Sequence, residues 1–169
     1  CAGITSYGPD GSQIQYVEQR YDEQDRMIYG CNTWYDDGKM DGAIYTYNSM
    51  GLCETVVTDS GDSMAFTYDS DGRQIRTDFY DETGKLIGHA THEHGDNYVR
   101  HNNYNASGAL ESYRINLYNE QEQPVRCEYY DADGALTHYT TDEYDADGNR
   151  IACNLYDADG NLTGRDTYN

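Results

Sequence analysis

Hydrophobic and polar residues alternate along most of the chain, in short runs that are rich in Tyr, Thr and Ile. The stretch 162–168, LTGRDTY, is one such run. A period of two residues is typical of a β-strand, in which successive side chains point to opposite faces. No segment shows a sustained apolar stripe with the helical period of 3.6 residues. The pattern therefore predicts strands along the whole chain.

A short phrase, Tyr-[Asp/Asn]-x-x-Gly, separates these runs at steps of mostly 12 or 14 residues. Its turn portion reads GPDG, DSDG, DETG, NASG or DADG. Asp or Asn can bond the turn backbone, and Gly tolerates a positive φ. Each step is then one strand and one tight turn. We therefore predict an all-β fold, an antiparallel β-meander of about fourteen short strands that is twisted or coiled into an elongated repeat array.

A coarser period is visible in the residue that precedes each Tyr. It alternates roughly between polar residues and apolar ones, the apolar set being Trp34, Phe79, Leu117, Tyr129 and Leu155. The repeating unit is then a hairpin of 24 to 26 residues. Strands with apolar residues on both sides are typical of sheets covered on both faces, so we expect the sheet to curl upon itself.

Two cysteines, Cys127 and Cys153, test this geometry. They are 26 residues apart and occupy the same slot in successive hairpins. In a meander a third strand separates them by about 9.5 Å, which exceeds the roughly 7 Å that a disulfide spans. We therefore expect no bridge between them, and the spacing assigns no partner to Cys31 or Cys53.

Composition and charge limit the range of partners. The length of 169 residues suits one domain, which we place at 7–169 after an N-terminal anchor or linker at 1–6. The net charge is −20 and the only lysines are Lys39 and Lys85, so a nucleic-acid partner and an anionic membrane surface are both disfavoured. With 19 tyrosines and 37% hydrophobic residues, any core is thin and lined by tyrosine.

The chain begins at Cys1, which resembles the start of a mature bacterial lipoprotein. The resemblance implies a lipid anchor on Cys1, and membrane association through that anchor alone. The alternative is an arbitrary boundary within a longer protein.

The phrases YDSDGRQI (68–75), YDETGKLI (80–87) and YDADGNRI (144–151) resemble the YD repeats of bacterial cell-surface and Rhs-type proteins. The resemblance implies an extracellular or cell-surface location in a bacterium. In Rhs-type proteins such arrays form a shell around a toxin, and 169 residues are too few for a closed shell. The stretch WYDDGKMDGAIYTYNSMG is also similar, more weakly, to MORN-variant repeats, although it lacks their Gly-x-Trp phrase.

The DADG turns raise the question of calcium. Asp-x-Asp-Gly occurs in EF-hand loops, but those loops need a Glu at position 12, where these units continue into a strand. A hairpin turn selects Asp and Gly for backbone reasons, and we favour that interpretation. Weak cation binding is the alternative, with Asp131, Asp133, Asp145, Asp147, Asp157 and Asp159 as its ligands.

Four histidines, His89, His92, His94 and His101, fall within 13 residues. His92 and His94 project from one face of a strand. If the next turn centres on Gly95–Asp96, His101 lies diagonally across from His92, which gives three nitrogens for Zn²⁺. The alternative is a surface strand that is merely enriched in His.

The function that fits these patterns best is a non-enzymatic surface module, structural, adhesive or ligand-binding, with no resident cofactor. Its partners would be a protein or glycan surface, or further copies joined through open sheet edges into filaments. No Gly-x-Ser-x-Gly motif supports nucleophilic catalysis. Two alternatives are a zinc- or cation-binding protein acting through His89–His101, and a cell-wall glycan-binding module that uses rows of Tyr.

Overall fold

The computed structural model describes residues 2–7, 12–34 and 40–168. Cys1, the predicted lipid anchor, lies outside these ranges. The described strands are β1 (Ala2–Tyr7), β2 (Gln13–Tyr21), β3 (Met27–Trp34), β4 (Met40–Tyr47), β5 (Cys53–Thr58), β6 (Ser63–Tyr68), β7 (Gln74–Tyr80), β8 (Leu86–His94), β9 (Tyr98–Asn105), β10 (Leu110–Tyr118), β11 (Pro124–Asp131), β12 (Leu136–Tyr144), β13 (Arg150–Asp157) and β14 (Leu162–Thr167).

These fourteen strands are antiparallel and follow one another in the order of the chain. The predicted antiparallel β-meander is therefore confirmed. Ala2–Ser6 of the predicted N-terminal anchor or linker belong to β1 and pair with β2. Within the described ranges, no helix is long and apolar enough to span a bilayer.

Most of the described turns share one geometry, which the DADG sequence at 131–134 illustrates. The Gly134 N–H donates to the Asp131 carbonyl at 3.2 Å, and the Asp131 N–H donates to the Ala135 carbonyl at 3.0 Å. Gly134 has a φ of +84°, so this is a type I turn followed by a glycine bulge. Asp25 (φ 61°) and Glu122 (φ 59°) occupy the glycine slot in two other turns. The bulge explains why strand register shifts by one residue beside the turn.

The chain divides into two compact units, Cys1–Ile87 and Gly88–Asn169. In the first unit, the hydroxyl of Tyr47 donates to the Met27 carbonyl at 2.6 Å, and that of Tyr68 donates to the Cys53 carbonyl at 2.7 Å. In each case the tyrosine that ends one strand binds the beginning of the preceding strand. Neighbouring turns on one side of the sheet are therefore fastened together.

The second unit repeats this arrangement. The Tyr144 hydroxyl donates to the Pro124 carbonyl at 2.6 Å, and the Gln123 side chain donates to the Gly148 carbonyl of the neighbouring turn at 3.0 Å. Tyr47, Tyr68 and Tyr144 all follow a polar residue. The alternation seen in the sequence thus has a structural counterpart, because these tyrosines anchor the backbone.

The core is small. Among the described residues, the buried hydrophobic side chains are Cys31, Val56, Ala90 and Ala152, and the buried polar ones are Thr77, Asn102 and Asn154. Backbone pairing, ring stacking and side-chain hydrogen bonds therefore carry much of the stability that a larger domain would draw from aliphatic packing.

The cysteines have the placement that a meander requires. Cys127 on β11 pairs with Thr140, and Cys153 on β13 pairs with Asp142, so β12 lies between them. Four cysteines are free thiols: Cys31, Cys53, Cys127 and Cys153.

Candidate functional site

A continuous row of side chains crosses five strands of the second unit. His92 pairs with His101, His101 with Arg114, Arg114 with Tyr129, and Tyr129 with His138. Directly paired residues project from the same side of a sheet. The five side chains therefore share one side of β8–β12, which we call the groove face.

A second row lies beside the first on the groove face. Asn103 pairs with Ser112, and Ser112 pairs with Asp131. The two rows line a groove of about 560 Å³, a volume in the range of small-molecule sites. Its lining consists of His92, His101, Asn103, Glu111, Ser112, Tyr113, Arg114, Tyr129, Tyr130, Asp131, Thr137 and His138.

One end of the groove holds a pair of imidazoles. The Nδ1 atoms of His92 and His101 are 2.6 Å apart, and the Nε2 of His101 lies 3.3 Å from the Asn116 side-chain nitrogen. If Asn116 donates to that Nε2, His101 carries its hydrogen on Nδ1 and donates it to His92. His92 then carries its own hydrogen on Nε2. The pair is thus a chain of neutral donors and acceptors.

Burial and nearby positive charge keep these imidazoles neutral. Burial, followed by the charges of Arg114, His92 and His94, lowers the pKa of His101 to about 4. Burial, His94 and Arg114 also lower the pKa of His92. Both rings are therefore uncharged at neutral pH.

The middle of the row contains an exposed arginine, Arg114. Its guanidinium forms a hydrogen bond with the Tyr129 hydroxyl, and its charge opposes the rise in the pKa of Tyr129. That pKa is raised on balance, first by a hydrogen bond with Cys127 and then by burial. Arg114 forms no ion pair with a carboxylate of the described residues, whereas seven other arginines do: Arg20, Arg26, Arg73, Arg76, Arg126, Arg150 and Arg165.

The far end of the row is aromatic. The rings of Tyr129 and His138 are stacked, with centroids 4.3 Å apart and planes at 7°. The Thr137 hydroxyl lies 3.0 Å from Nδ1 of His138. The groove therefore combines an arginine that forms no ion pair with the described residues, stacked rings, neutral polar groups and two carboxylates, Glu111 and Asp131. Such a combination suits binding of a small polar ligand.

Comparison with solved structures supports the fold alone. The crystal structure of TcdB2-TccC3 without its hypervariable C-terminal region is similar to 92% of this chain, with a TM-score of 0.53 and 12% identity. TcdB2-TccC3-Cdc42 aligns over the same 92%, with a TM-score of 0.49 and 11% identity. This chain spans 9% of the length of the solved chain in both. No family model and no curated protein matches the sequence.

The opposite side of the same strands, which we call the network face, carries a different arrangement. Asn102 is 2% exposed, and its side-chain nitrogen donates to Glu93 at 2.9 Å and to Thr91 at 3.2 Å. Its oxygen accepts a hydrogen bond from Arg100 at 2.7 Å. Both ends of this buried amide are therefore satisfied.

The same constellation recurs on β12, β13 and β14. Asn154 is 3% exposed, donates to Glu143 at 2.8 Å and accepts from Arg165 at 2.9 Å. Between the two networks, Arg126 lies 3.7 Å from the centroid of Tyr139, which stacks on Tyr156 at 4.7 Å. The network face is thus a set of closed contacts.

The predicted histidine cluster is only partly assembled. The hairpin turn centres on Asp96–Asn97, with the Gly95 N–H donating to the Tyr98 carbonyl at 2.9 Å. Our placement at Gly95–Asp96 was therefore wrong by one position, and His101 lies directly opposite His92 rather than diagonally. His94 shares the groove face, but no metal-binding group of three or more His, Cys, Asp or Glu occurs among the described residues.

His89 does not join that cluster. It projects from the network face, where its ring stacks on Tyr104 with centroids 4.6 Å apart. Its Nδ1 is buried without a hydrogen-bond partner. A site that uses all four predicted histidines at once is therefore excluded by the pleat.

In each acidic turn, the side chain of the first aspartate accepts hydrogen bonds from the backbone of that same turn. Oδ1 of Asp131 accepts the N–H groups of Asp133 and Ala135 at 3.0 and 2.8 Å. Asp145 and Asp157 make equivalent backbone contacts, and bonds from Asn149 and Asn161 lower their pKa values. The second aspartates, Asp133, Asp147 and Asp159, are exposed. These contacts match the turn interpretation.

Sequence reasoning missed Arg114, Tyr129 and His138 as site residues. Each lies on a different strand, and nothing in their spacing along the chain marks them. The turn chemistry could have found them, because a type I turn with a glycine bulge fixes which residues pair across a hairpin. That register places Tyr129 opposite His138.

Proposed function

We propose that this chain is a YD-repeat array of the bacterial cell-surface and Rhs type, and that it acts outside the cell as a non-enzymatic ligand-binding module. Support for the family comes from the recurring turns with positive-φ glycines and from the fold shared with the TcdB2-TccC3 structure. The binding function rests on one observation, the groove in which Arg114 has no carboxylate partner.

Among the described residues, two arginines form no ion pair with a carboxylate, and the other one, Arg100, donates to Asn102 and lies over the Tyr113 ring. The chain has 31 acidic residues against 11 basic ones, so carboxylates are abundant. Arginine next to a groove with neutral imidazoles offers donors that the fold itself does not consume. We infer that a ligand supplies the missing acceptor.

Histidine NMR tests this function. The groove contains His92, His101 and His138, whereas His89 lies on the network face. A screen of bacterial cell-wall sugars, short peptides and small carboxylates, read from the imidazole signals, should shift the three groove histidines and leave His89 unchanged. Arg114→Gln should abolish the shifts. A screen in which no compound moves the groove signals would contradict a binding role.

The cell-surface location has its own test. Brief protease treatment of intact producing cells should remove the protein, while a cytoplasmic marker survives. Protection of the protein until the cells are lysed would contradict an extracellular role.

A zinc-binding function is the second candidate, because the imidazoles of His92 and His101 face each other as a direct cross-strand pair and His94 lies on the same face. Zinc should then raise the melting temperature, and a His92→Ala, His101→Ala double variant should lose that rise. His89→Ala serves as the matched control. An equal zinc effect in all three proteins would place the metal elsewhere.

A further inference from the structure

We propose that the groove binds a saccharide that carries a single carboxylate, with Arg114 receiving the carboxylate and Asn103, Ser112 and Asp131 receiving hydroxyl groups. This inference rests on the proposed binding function and narrows its ligand to a chemical class, the uronic-acid type of sugar.

The carboxylate follows from Arg114. A guanidinium presents parallel N–H donors that match the two oxygens of a carboxylate, and such paired, charge-assisted bonds are among the strongest in proteins. Arg114 is exposed and lies in the middle of the row, with His101 on one side and Tyr129 on the other. Its neighbours in the row are neutral, so none of them neutralises its charge.

The charge balance of the groove disfavours a dianion more strongly than a monoanion. Two carboxylates, Asp131 and Glu111, line the groove together with Arg114, and the imidazoles of His92 and His101 are neutral at pH 7 because their pKa values are lowered. A phosphate or sulfate dianion would meet one positive charge and two negative ones. A ligand with one carboxylate and several neutral groups meets less repulsion.

The hydroxyl groups follow from the second row. Asp131 uses Oδ1 for its turn, and its Oδ2 accepts no hydrogen bond from the described residues. The Asn103 nitrogen donates to the Ser112 hydroxyl at 3.2 Å, and the oxygen of the exposed Asn103 side chain is available as an acceptor. A carboxylate oxygen, an amide and a hydroxyl in one row are the partners that sugar hydroxyls need. The groove volume of about 560 Å³ accommodates a ligand of that size.

Calorimetry and histidine NMR with defined probes test the proposal. D-glucuronate and D-galacturonate are compared with D-glucose, D-galactose, acetate and inorganic phosphate. We expect the uronates to bind most tightly and to shift His92, His101 and His138. Removing the charged partner in Arg114→Gln should weaken uronate binding about tenfold or more, and Arg114→Lys should lose most of that affinity because it lacks the paired donors.

Arg73→Gln is the matched control. It removes the same charge from an exposed arginine in the first unit, where Arg73 pairs with Asp69 and Asp71, and it should leave uronate affinity unchanged. Melting temperatures of all variants establish that they are folded. An equal loss of uronate affinity in Arg73→Gln would mean that Arg114→Gln acts only through the net charge, and it would overturn the proposal.

The choice of probes separates the saccharide proposal from the proposed ligand-binding function on which it rests. If acetate or phosphate binds at the groove through Arg114 as tightly as the uronates, the saccharide proposal is wrong and the proposed ligand-binding function is retained. Neutral sugars that bind as well as uronates would likewise overturn the role of the carboxylate. If no probe moves a groove histidine, the saccharide proposal fails, and the binding function fails as well unless the broader screen finds a ligand.

Discussion

The two faces of β8–β13 use the same residue types for different purposes. On the network face, Arg126 binds Glu128 at 2.7 Å and covers Tyr139, and Arg165 binds Glu143 and Asn154. On the groove face, Arg114 lies between His101 and Tyr129 and forms no ion pair with a carboxylate of the described residues. Because side chains alternate across a strand, one sequence can hold a closed stabilising network and an open binding surface one residue apart.

The largest effect should come from breaking the network face at its buried amide. Asn102→Ala leaves Thr91, Glu93 and Arg100 without their common partner, and we expect it to lower the free energy of unfolding by about 2–3 kcal/mol. Asn103→Ala, on the exposed groove face one residue later, should change it by less than about 0.5 kcal/mol. Urea denaturation measures both. Similar losses in the two variants would mean that the faces do not differ in their stabilising role.

Replacing a stacked tyrosine on each face should give a smaller difference in stability between the two faces. Tyr139 contacts both Arg126 and Tyr156, so Tyr139→Leu should cost about 1–2 kcal/mol of stability. Tyr129 has one stacking partner, His138, and Tyr129→Leu should cost about 0.5–1 kcal/mol while weakening ligand binding. Denaturation and calorimetry on both variants separate the two roles. Loss of ligand binding in Tyr139→Leu would contradict the division between faces.

A histidine of the groove face, His101, should also make the free energy of unfolding fall as the pH falls. An unfolded His titrates near 6.5, whereas the pKa of His101 is about 4 in the folded protein. Between these values the unfolded chain binds a proton that the folded chain does not, so stability declines from pH 7 to pH 5. The lowered pKa values of Asp145 and Asp157 act only below about pH 4. Denaturation of His101→Gln across this range should show a shallower decline, and an unchanged slope would exclude His101 as its source.

The smallest effect should come from a turn, which belongs to neither face. Glu122 sits at φ 59° in the slot that Gly fills elsewhere, so Glu122→Gly should raise the free energy of unfolding by about 0.5–1 kcal/mol. Gly134→Ala, the reverse change at φ +84°, should lower it by about 1 kcal/mol. Thermal denaturation measures both variants, and Glu122→Gly should leave ligand binding at the groove unchanged. A destabilised Glu122→Gly would show that this side chain has a role beyond the turn.

Local chemistry made much of the fold predictable. The Asp or Asn at the first position of each turn accepts the backbone N–H of the residue four positions later, which is Ala135 or Asn149 in two of the turns. These residues mark the turns, and alternation between turns marks the strands. The number and direction of the strands therefore followed from the sequence. The hairpin as the repeating unit was also visible, because anchoring tyrosines such as Tyr144 follow polar residues.

The site was harder to predict because it depends on register across several strands. The glycine bulge shifts the pairing by one residue in most hairpins, whereas the β8–β9 turn is a tight turn with two central residues, Asp96 and Asn97. A glycine next to an aspartate, Gly95–Asp96, looked like the turn centre, and this one-residue error placed Val99 rather than His101 opposite His92. Arg114 carried no local signal, because what distinguishes it is that it forms no ion pair with a carboxylate of the described residues, and this depends on the register of three strands.

The tyrosine anchors have a mechanical consequence. Tyr144 bonds the end of β12 to Pro124 at the start of β11, and Gln123 bonds its turn to Gly148. A strand that is pulled from the sheet therefore cannot detach without the strand to which it is bonded. Force applied along the chain should therefore release hairpins as pairs of strands. Each release of 24 to 26 residues lengthens the molecule by roughly 90 Å, so such an array would absorb extension in regular increments.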